Sequence, residues 1–301
     1  MLRVSGVAVA SAVLFGATSI RAADRNADFS AALRKRGWDD TAVEYLDWVE
    51  KSPLMTAEFR KELPYQRALS LAAQGRSSRS QADRDRLLAK AAADFEAFAK
   101  GQPATEAALD ALRQSANLYA EQALSLLSAA KKLPDQAAAQ QKDAQRNARE
   151  SFAKAINVTQ QIVDACTKEL ATLPKATAIQ ADAEAKARRD LLRNRHVEAR
   201  FLLARLAFEQ AATYESKSDE HSKALEAASI QFGELVEEYR DSLVGATSRF
   251  YQGRCAQELG AYEKALGYYQ DLVRAPTADA EFRRWTARAH RRRAVCLAAI
   301  D

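Results

Sequence analysis

The chain has 301 residues, of which 48% are apolar and 28% charged, so it carries enough hydrophobic material for a sizeable core. Ten glycines and six prolines are few, the composition favours helix almost everywhere, and no run alternates as a strand would. A net charge of +5, falling to +3 once Arg3 and Arg21 leave with an N-terminal leader, is too mild to argue for nucleic acid.

Met1 to Ala23 has the pattern of a secretory signal peptide. Arg3 supplies a positive start, Val4 to Ile20 is apolar, and Ala22-Ala23 offers a small-residue cleavage site. The competing reading is an uncleaved anchor, because seventeen apolar residues stand at the lower limit for spanning a bilayer. No cysteine lies near the cleavage site, which argues against lipid attachment. The expectation is export to the periplasm or cell envelope of a bacterium, with no stable membrane insertion after cleavage.

Residues 24–103 are predicted to form N-terminal helical hairpins. A helix from Ala27 to Lys35 breaks at Gly37, and a second runs from Trp38 to Glu50, with Asp39 or Asp40 as its cap and Ser52-Pro53 at its end. Ala42, Tyr45, Leu46 and Val49 line one face of it. Pro64 is placed in the first turn of the next helix, which is expected to stop at Gly75 before a serine-rich loop over Arg76 to Asp83. Leu87 to Lys100 comes next, with Ala91 four residues before Phe95, and Gly101-Gln102-Pro103 closes it.

Residues 104–216 contain no glycine, and Pro134 and Pro174 divide them into unusually long helices. Phe152, Ile156, Thr159, Val163, Cys166, Leu170 and Leu173 keep the four-three spacing of a heptad seam. Leu192, Ala199, Leu203 and Leu206 form one stripe on the following helix, and Val197, Phe201, Ala204 and Phe208 a second, which predicts neighbours on both sides.

Residues 217–301 carry an internal repeat. Ala228-x3-Phe232 returns as Ala265-x3-Tyr269, and Leu235-Val236 returns as Leu272-Val273. A small residue four before an aromatic lets neighbouring helices approach closely. With Gly253 twelve residues before Ala265, and with Gly260 and Tyr262 between them, this resembles the tetratricopeptide repeat. The Trp, Leu and Tyr usual in its first helix are here Arg249, Gln252 and Ala256. Tyr239-Arg240-Asp241-Ser242 and the residues after it are most similar to exported repeat proteins of bacterial envelopes, of the outer-membrane assembly lipoprotein or Tol-Pal coordinator type. The resemblance implies an all-α, right-handed α-solenoid of antiparallel helical hairpins, with the long helices in its middle. A last helix from Asp279 to Ala299 keeps apolar residues where a polar cap is usual, so either it packs back on the previous hairpin as the cap or the natural chain continues, and continuation is the expectation.

Chemistry is hard to find. His196, His221 and His290 lack metal-ligand spacing, no glycine-rich phosphate loop follows a strand, and no cysteine stands beside a histidine. No catalytic, cofactor or metal site is predicted, and His196 reads as an interface histidine. Cys166, Cys255 and Cys296 read as buried thiols, with a Cys255 to Cys296 bridge as the alternative. The feature that stands out is a run of arginines on the last helix. Arg284, Arg288 and Arg291 share a face, where guanidinium groups suit carboxylates or phosphates. The resemblance makes this a groove helix, with Arg254 and Gln257 as weaker groove positions; a solvated basic face is the plain alternative. The function expected is a non-enzymatic scaffold for another envelope protein. Two alternatives are a helical accessory segment of a larger envelope enzyme, as in some soluble lytic transglycosylases, and a self-associating structural protein.

Overall fold

Five short polar side chains start helices by the same device. Thr56, Ser80, Thr105, Ser218 and Ser242 each accept the backbone N–H three residues on, at 3.1 to 3.3 Å, satisfying a donor that the helix itself leaves unpaired. Two helices end on glycines in the left-handed region, Gly37 at φ +74° and Gly260 at φ +78°. In both, the next N–H reaches back to the carbonyl five residues before it, Trp38 to Leu33 and Ala261 to Ala256.

A computed structural model describes residues 25–53, 55–102, 104–174, 183–274 and 280–300. Eleven α-helices and no strand occur among the described residues: α1 (Arg25–Lys35), α2 (Asp39–Glu50), α3 (Ala57–Ser77), α4 (Gln81–Gly101), α5 (Glu106–Ala130), α6 (Ala138–Thr172), α7 (Ala183–Ala211), α8 (Asp219–Glu238), α9 (Leu243–Glu258), α10 (Tyr262–Arg274) and α11 (Ala280–Ile300). A short 3-10 turn precedes α6. The leader expected over Met1 to Ala23, Pro103, the Pro276-Thr277 break and Asp301 lie outside the described residues.

Each helix packs on the one before it and the one after it. Beyond that, the close pairs are α1 with α3, α5 with α7, α7 with α9 and α9 with α11. The odd-numbered helices from α5 to α11 therefore lie side by side, as do α1 and α3, with side-chain hydrogen bonds joining α3 to α5, and no close pair joins two even-numbered helices.

One packing rule repeats through all five even-numbered helices. Ala42 and Leu46, Ala91 and Phe95, Ala148 and Phe152, Ala228 and Phe232, and Ala265 and Tyr269 are each an alanine followed four residues later by a large side chain. None of these ten is more than 1% exposed. Three residues further on, Val49, Phe98, Ala155, Leu235 and Leu272 are buried too. The alanine admits the neighbouring helix and the large group fills the space beside it. Sequence reading finds this rule in α4, α8 and α10; its presence in α2 and α6 emerges only from the structure.

The middle helices are long, at 25, 35 and 29 residues for α5, α6 and α7. Helix α6 packs on α5 and α7, and α7 on α6 and α8, so both have neighbours on two sides. The heptad seam of α6 is only part of what it buries: Phe152, Thr159 and Cys166 are joined by Ala148, Ala155, Val158 and Ile162. Burial holds the Cys166 thiol up at about 11 and Cys255 at about 12, and all three cysteines are free and buried.

Several expected boundaries move. Neither Asp39 nor Asp40 caps α2. Trp38 occupies the cap position without a side-chain bond, the two aspartates stand in the first turn, and Asp40 accepts from Gln74 of α3 at 2.7 Å. Pro64 lies inside α3, because Thr56 starts that helix two turns earlier and seats Phe59 in the core. Gly75 does not end α3. It lets α4 approach, since a Cβ there would stand 3.0 Å from Leu88, and the serine-rich loop shrinks to three residues. No described helix is long and apolar enough to cross a membrane.

Candidate functional site

Polar side chains tie α1 to α3 and α3 to α5. Arg34 of α1 donates to Ser70 and Gln66 of α3, both at 3.0 Å. Tyr65 of α3 donates to Asp110 of α5, which also accepts from Arg113, and Arg76 of α3 donates to Glu121 of α5 at 3.0 Å. Burial pushes the Asp110 carboxyl up, but Arg113 and the three hydrogen bonds outweigh it and hold its pKa below the ordinary value.

At the other end of the odd-numbered helices, rings and guanidinium groups converge from α7, α9 and α11. Tyr251 is the hub: it stacks on Phe232 at 5.1 Å and meets Phe208 at 5.6 Å and Trp285 at 6.3 Å. Arg254 lies over the Phe208 ring at 5.1 Å and Arg288 over Trp285 at 4.4 Å. Burial raises the Tyr251 pKa, Glu209 adds to that, and Arg205, Arg254 and Arg288 act against it.

The balance of charge in this cluster is positive. Arg205, Arg254, Arg288 and Arg292 are opposed by Glu209, which pairs with Arg205 at 3.4 Å, and Glu258, which pairs with Arg254 at 2.6 Å. Arg292 is half-buried; burial lowers its pKa and the nearby Arg254 lowers it further. The Nε of Arg205 is the atom that meets Glu209, and the Nε of Arg254 is buried, so the outer edges of the guanidinium groups are what another molecule can reach. Such a group of planar donors over aromatic floors suits a carboxylate or phosphate brought by another molecule.

Glu209 is the discordant member. Burial pushes its pKa up, Arg205 only partly opposes this, and its Oε2 is buried without a partner. A carboxyl whose pKa rises on folding contributes stability in its protonated form, fully present below the unfolded pKa and lost as pH rises through the folded one. Glu209→Gln is therefore expected to raise the melting temperature at pH 7 and to leave it unchanged below about pH 4, near the unfolded pKa of Glu. Thermal melts of both proteins at the two pH values check this.

The positions expected from sequence separate in the structure. Arg254 and Arg288 sit in the cluster. Gln257 is occupied in accepting the Tyr269 hydroxyl at 3.1 Å, Arg284 is exposed and paired with Glu281, and Arg291 is exposed. Among the repeat-packing residues, Ala228, Phe232, Ala265 and Tyr269 are buried, and Tyr262 packs at the start of α10. Gly253 faces the Tyr269 ring, while Gly260 acts through its left-handed backbone. Arg205, Glu209, Tyr251 and Arg292 escape sequence reading as site residues. Arg292 belongs to the arginine run and Tyr251 to the aromatics read as core, while Arg205 and Glu209 show only their spacing of one helical turn.

His196 donates to or accepts from Thr167 at 3.3 Å, and burial with Arg200 lowers its pKa. It lines an open furrow of about 400 Å³ above α7, between α6 and α8. No group of three His, Cys, Asp or Glu side chains suited to a metal comes together among the described residues. No protein-family model matches the chain, and no curated protein is significantly similar to it.

Proposed function

We propose that this chain is a non-enzymatic scaffold of the bacterial cell envelope, a right-handed solenoid of tetratricopeptide-like hairpins whose odd-numbered helices present a face to another envelope protein. The observation that carries the reading is the alanine and large side-chain rule in all five even-numbered helices, which is how that repeat family packs its second helices. The Tyr251 cluster then falls on the layer that lines the groove in that family.

The mechanism is recognition by a prearranged surface. Packing of α9 on α7 holds Arg254 over Phe208, and Arg288 lies over Trp285 one turn away on α11, before any partner arrives, so little side-chain freedom is lost on binding. An acidic segment of the partner would place its carboxylates against these guanidinium groups, and the rings would cover its apolar atoms. The apolar stretch over Val4 to Ile20 supports export as the route to that partner.

Reversing charge in the cluster is the test. With Arg254→Glu and Arg288→Glu together, in-cell crosslinking and affinity capture of the full chain are expected to lose the recurrent partner at least about tenfold, since truncating a desolvated charge contact costs about 2–5 kcal/mol. Arg240→Glu, at a position 68% exposed, is the control and leaves capture unchanged. Undiminished capture by the double variant contradicts the assignment of this face.

A further inference from the structure

Along α7, Arg195, Glu198, Leu202, Arg205 and Glu209 recur at alternating spacings of three and four, so they form one stripe. The later half of the stripe, Arg205 and Glu209, stands at the Tyr251 cluster. The earlier half borders a dimple of about 30 Å³ between α5 and α7, walled by Leu109, Ile162, Ala199 and Leu202, with Arg113, Arg195 and Glu198 at its rim. Ile162 of α6 is 3% exposed and forms the floor. His196, Arg200 and Leu203 lie on the opposite side of α7, where they line the furrow between α6 and α8.

The walls decide what suits the dimple. Its volume would admit about two water molecules, but a buried water typically makes about three hydrogen bonds and four hydrocarbon walls offer none. The tip of a branched aliphatic side chain removes apolar surface from water there instead. The rim is charged but balanced: Arg113 donates through Nε to Asp110 at 3.1 Å, and Arg195 through Nη1 to Glu198 at 3.0 Å. The stems of the two arginines lengthen the apolar wall. Each guanidinium has five N–H donors, so both keep donors for the carbonyl groups of a main chain crossing the rim. An extended segment brings such carbonyls, whereas a helix has already bonded its own internally.

We propose that the dimple receives an aliphatic side chain of the partner segment whose carboxylates meet Arg254 and Arg288, with the segment crossing α7 in extended form. This rests on the partner-binding face argued above and adds the segment's conformation and its spacing. Ala199 and the middle of the Arg205 and Glu209 pair are eight positions apart on α7, about 12 Å at the helical rise. An extended chain covers that distance in about four residues, and side chains four apart in it point the same way. The segment therefore carries an aliphatic residue and an acidic residue four apart, both facing this chain, the first in the dimple and the second at the arginines.

Filling the dimple from inside with Ala199→Val tests this. Ala199 is 4% exposed on the wall, so the two added methyl groups occupy the vacancy and the melting temperature is expected to hold or rise. In-cell capture of the partner by the full chain is expected to fall about tenfold or more, the effect of denying an aliphatic group its pocket. A photoreactive phenylalanine analogue at Glu198, whose side chain is 46% exposed, gives a second readout that does not depend on the filling. Mass spectrometry of the adducts from positions 198 and 288 should place both crosslinks in one segment of one protein, within about ten residues of each other, the reach of an extended chain across three neighbouring helices. Undiminished capture by Ala199→Val, with loss by the Arg254→Glu and Arg288→Glu pair, overturns the dimple and leaves the Tyr251 cluster standing. Retention by both overturns the two readings together. If Ala199→Val melts early, position 198 decides alone: no adduct, or an adduct with a second copy of this chain, overturns the proposal.

Discussion

Phe152→Ala is expected to lower the unfolding free energy by about 3–5 kcal/mol. Phe152 is 0% exposed and packs in a cluster built from α5, α6 and α7, with Ala120, Ala123, Leu127, Ala155 and Leu206 around it. Truncation leaves a hole walled by three helices, and each wall is held from its far side, by α4 on α5 and by α8 on α7, so little collapse is available to fill it. Urea denaturation of the two proteins gives the difference. Ile230→Ala, at a residue 65% exposed on α8, should change stability by no more than about 0.5 kcal/mol. Equal losses from the two would contradict the placement of Phe152 as the α6 member of the repeating rule.

Gly253→Val is expected to cost about 3 kcal/mol, at the upper end for overpacked cores. A Cβ at position 253 would stand 2.4 Å from Cε1 and 2.8 Å from Cζ of Tyr269. The ring has no room to retreat: it is 0% exposed, lies 5.8 Å from Phe250, and its hydroxyl is held by Gln257 at 3.1 Å. Gly253 has an ordinary helical backbone, where replacement by a residue with a side chain would gain about 0.5–1 kcal/mol if space allowed. A loss therefore measures the clash itself. In a Tyr269→Leu background the penalty for Gly253→Ala should shrink by about 1 kcal/mol or more, the coupling expected of residues in contact. Additive effects would separate the glycine from the ring.

How much of the fold is legible in the sequence depends on how local each signal is. Helix content, the break at Gly37, and the long helices set apart by Pro134 and Pro174 rest on neighbouring residues, and they are read without the fold. The repeating rule is legible in α4, α8 and α10 because an aromatic stands four residues after an alanine. In α2 the large group is Leu46, which does not stand out among ordinary helix residues. In α6 the pair Ala148 and Phe152 is hidden because Phe152 also begins a heptad seam, and the seam draws attention toward Ile156 and Val163, which the structure leaves only partly buried. Asp39 and Asp40 mislead for a similar reason: acidic residues suit both the cap and the first turn, and the backbone at Trp38 decides between them.

The candidate site is less legible than the fold. Arg254 and Arg288 are found from a repeat register and a run of arginines. Arg205 and Glu209 arrive from α7, nearly fifty residues earlier in the chain than Arg254, and only the side-by-side packing of α7, α9 and α11 brings them to Tyr251. Arg284, Arg288 and Arg291 share a face by spacing and all three are exposed, and among them Arg288 lies over the Trp285 ring one turn earlier on α11. Helical periodicity fixes which residues lie together, and packing decides what they face.

The most direct test of the central claim is site-specific photocrosslinking in cells, with a photoreactive phenylalanine analogue placed at one exposed position on each side of the array. Arg288 on α11 represents the odd-numbered layer and Ile230 on α8 the even-numbered side. The account predicts one recurrent envelope-protein adduct from position 288 and none from position 230. An adduct from position 230 alone, or equal adducts from both, would contradict a partner-binding face on the odd-numbered helices.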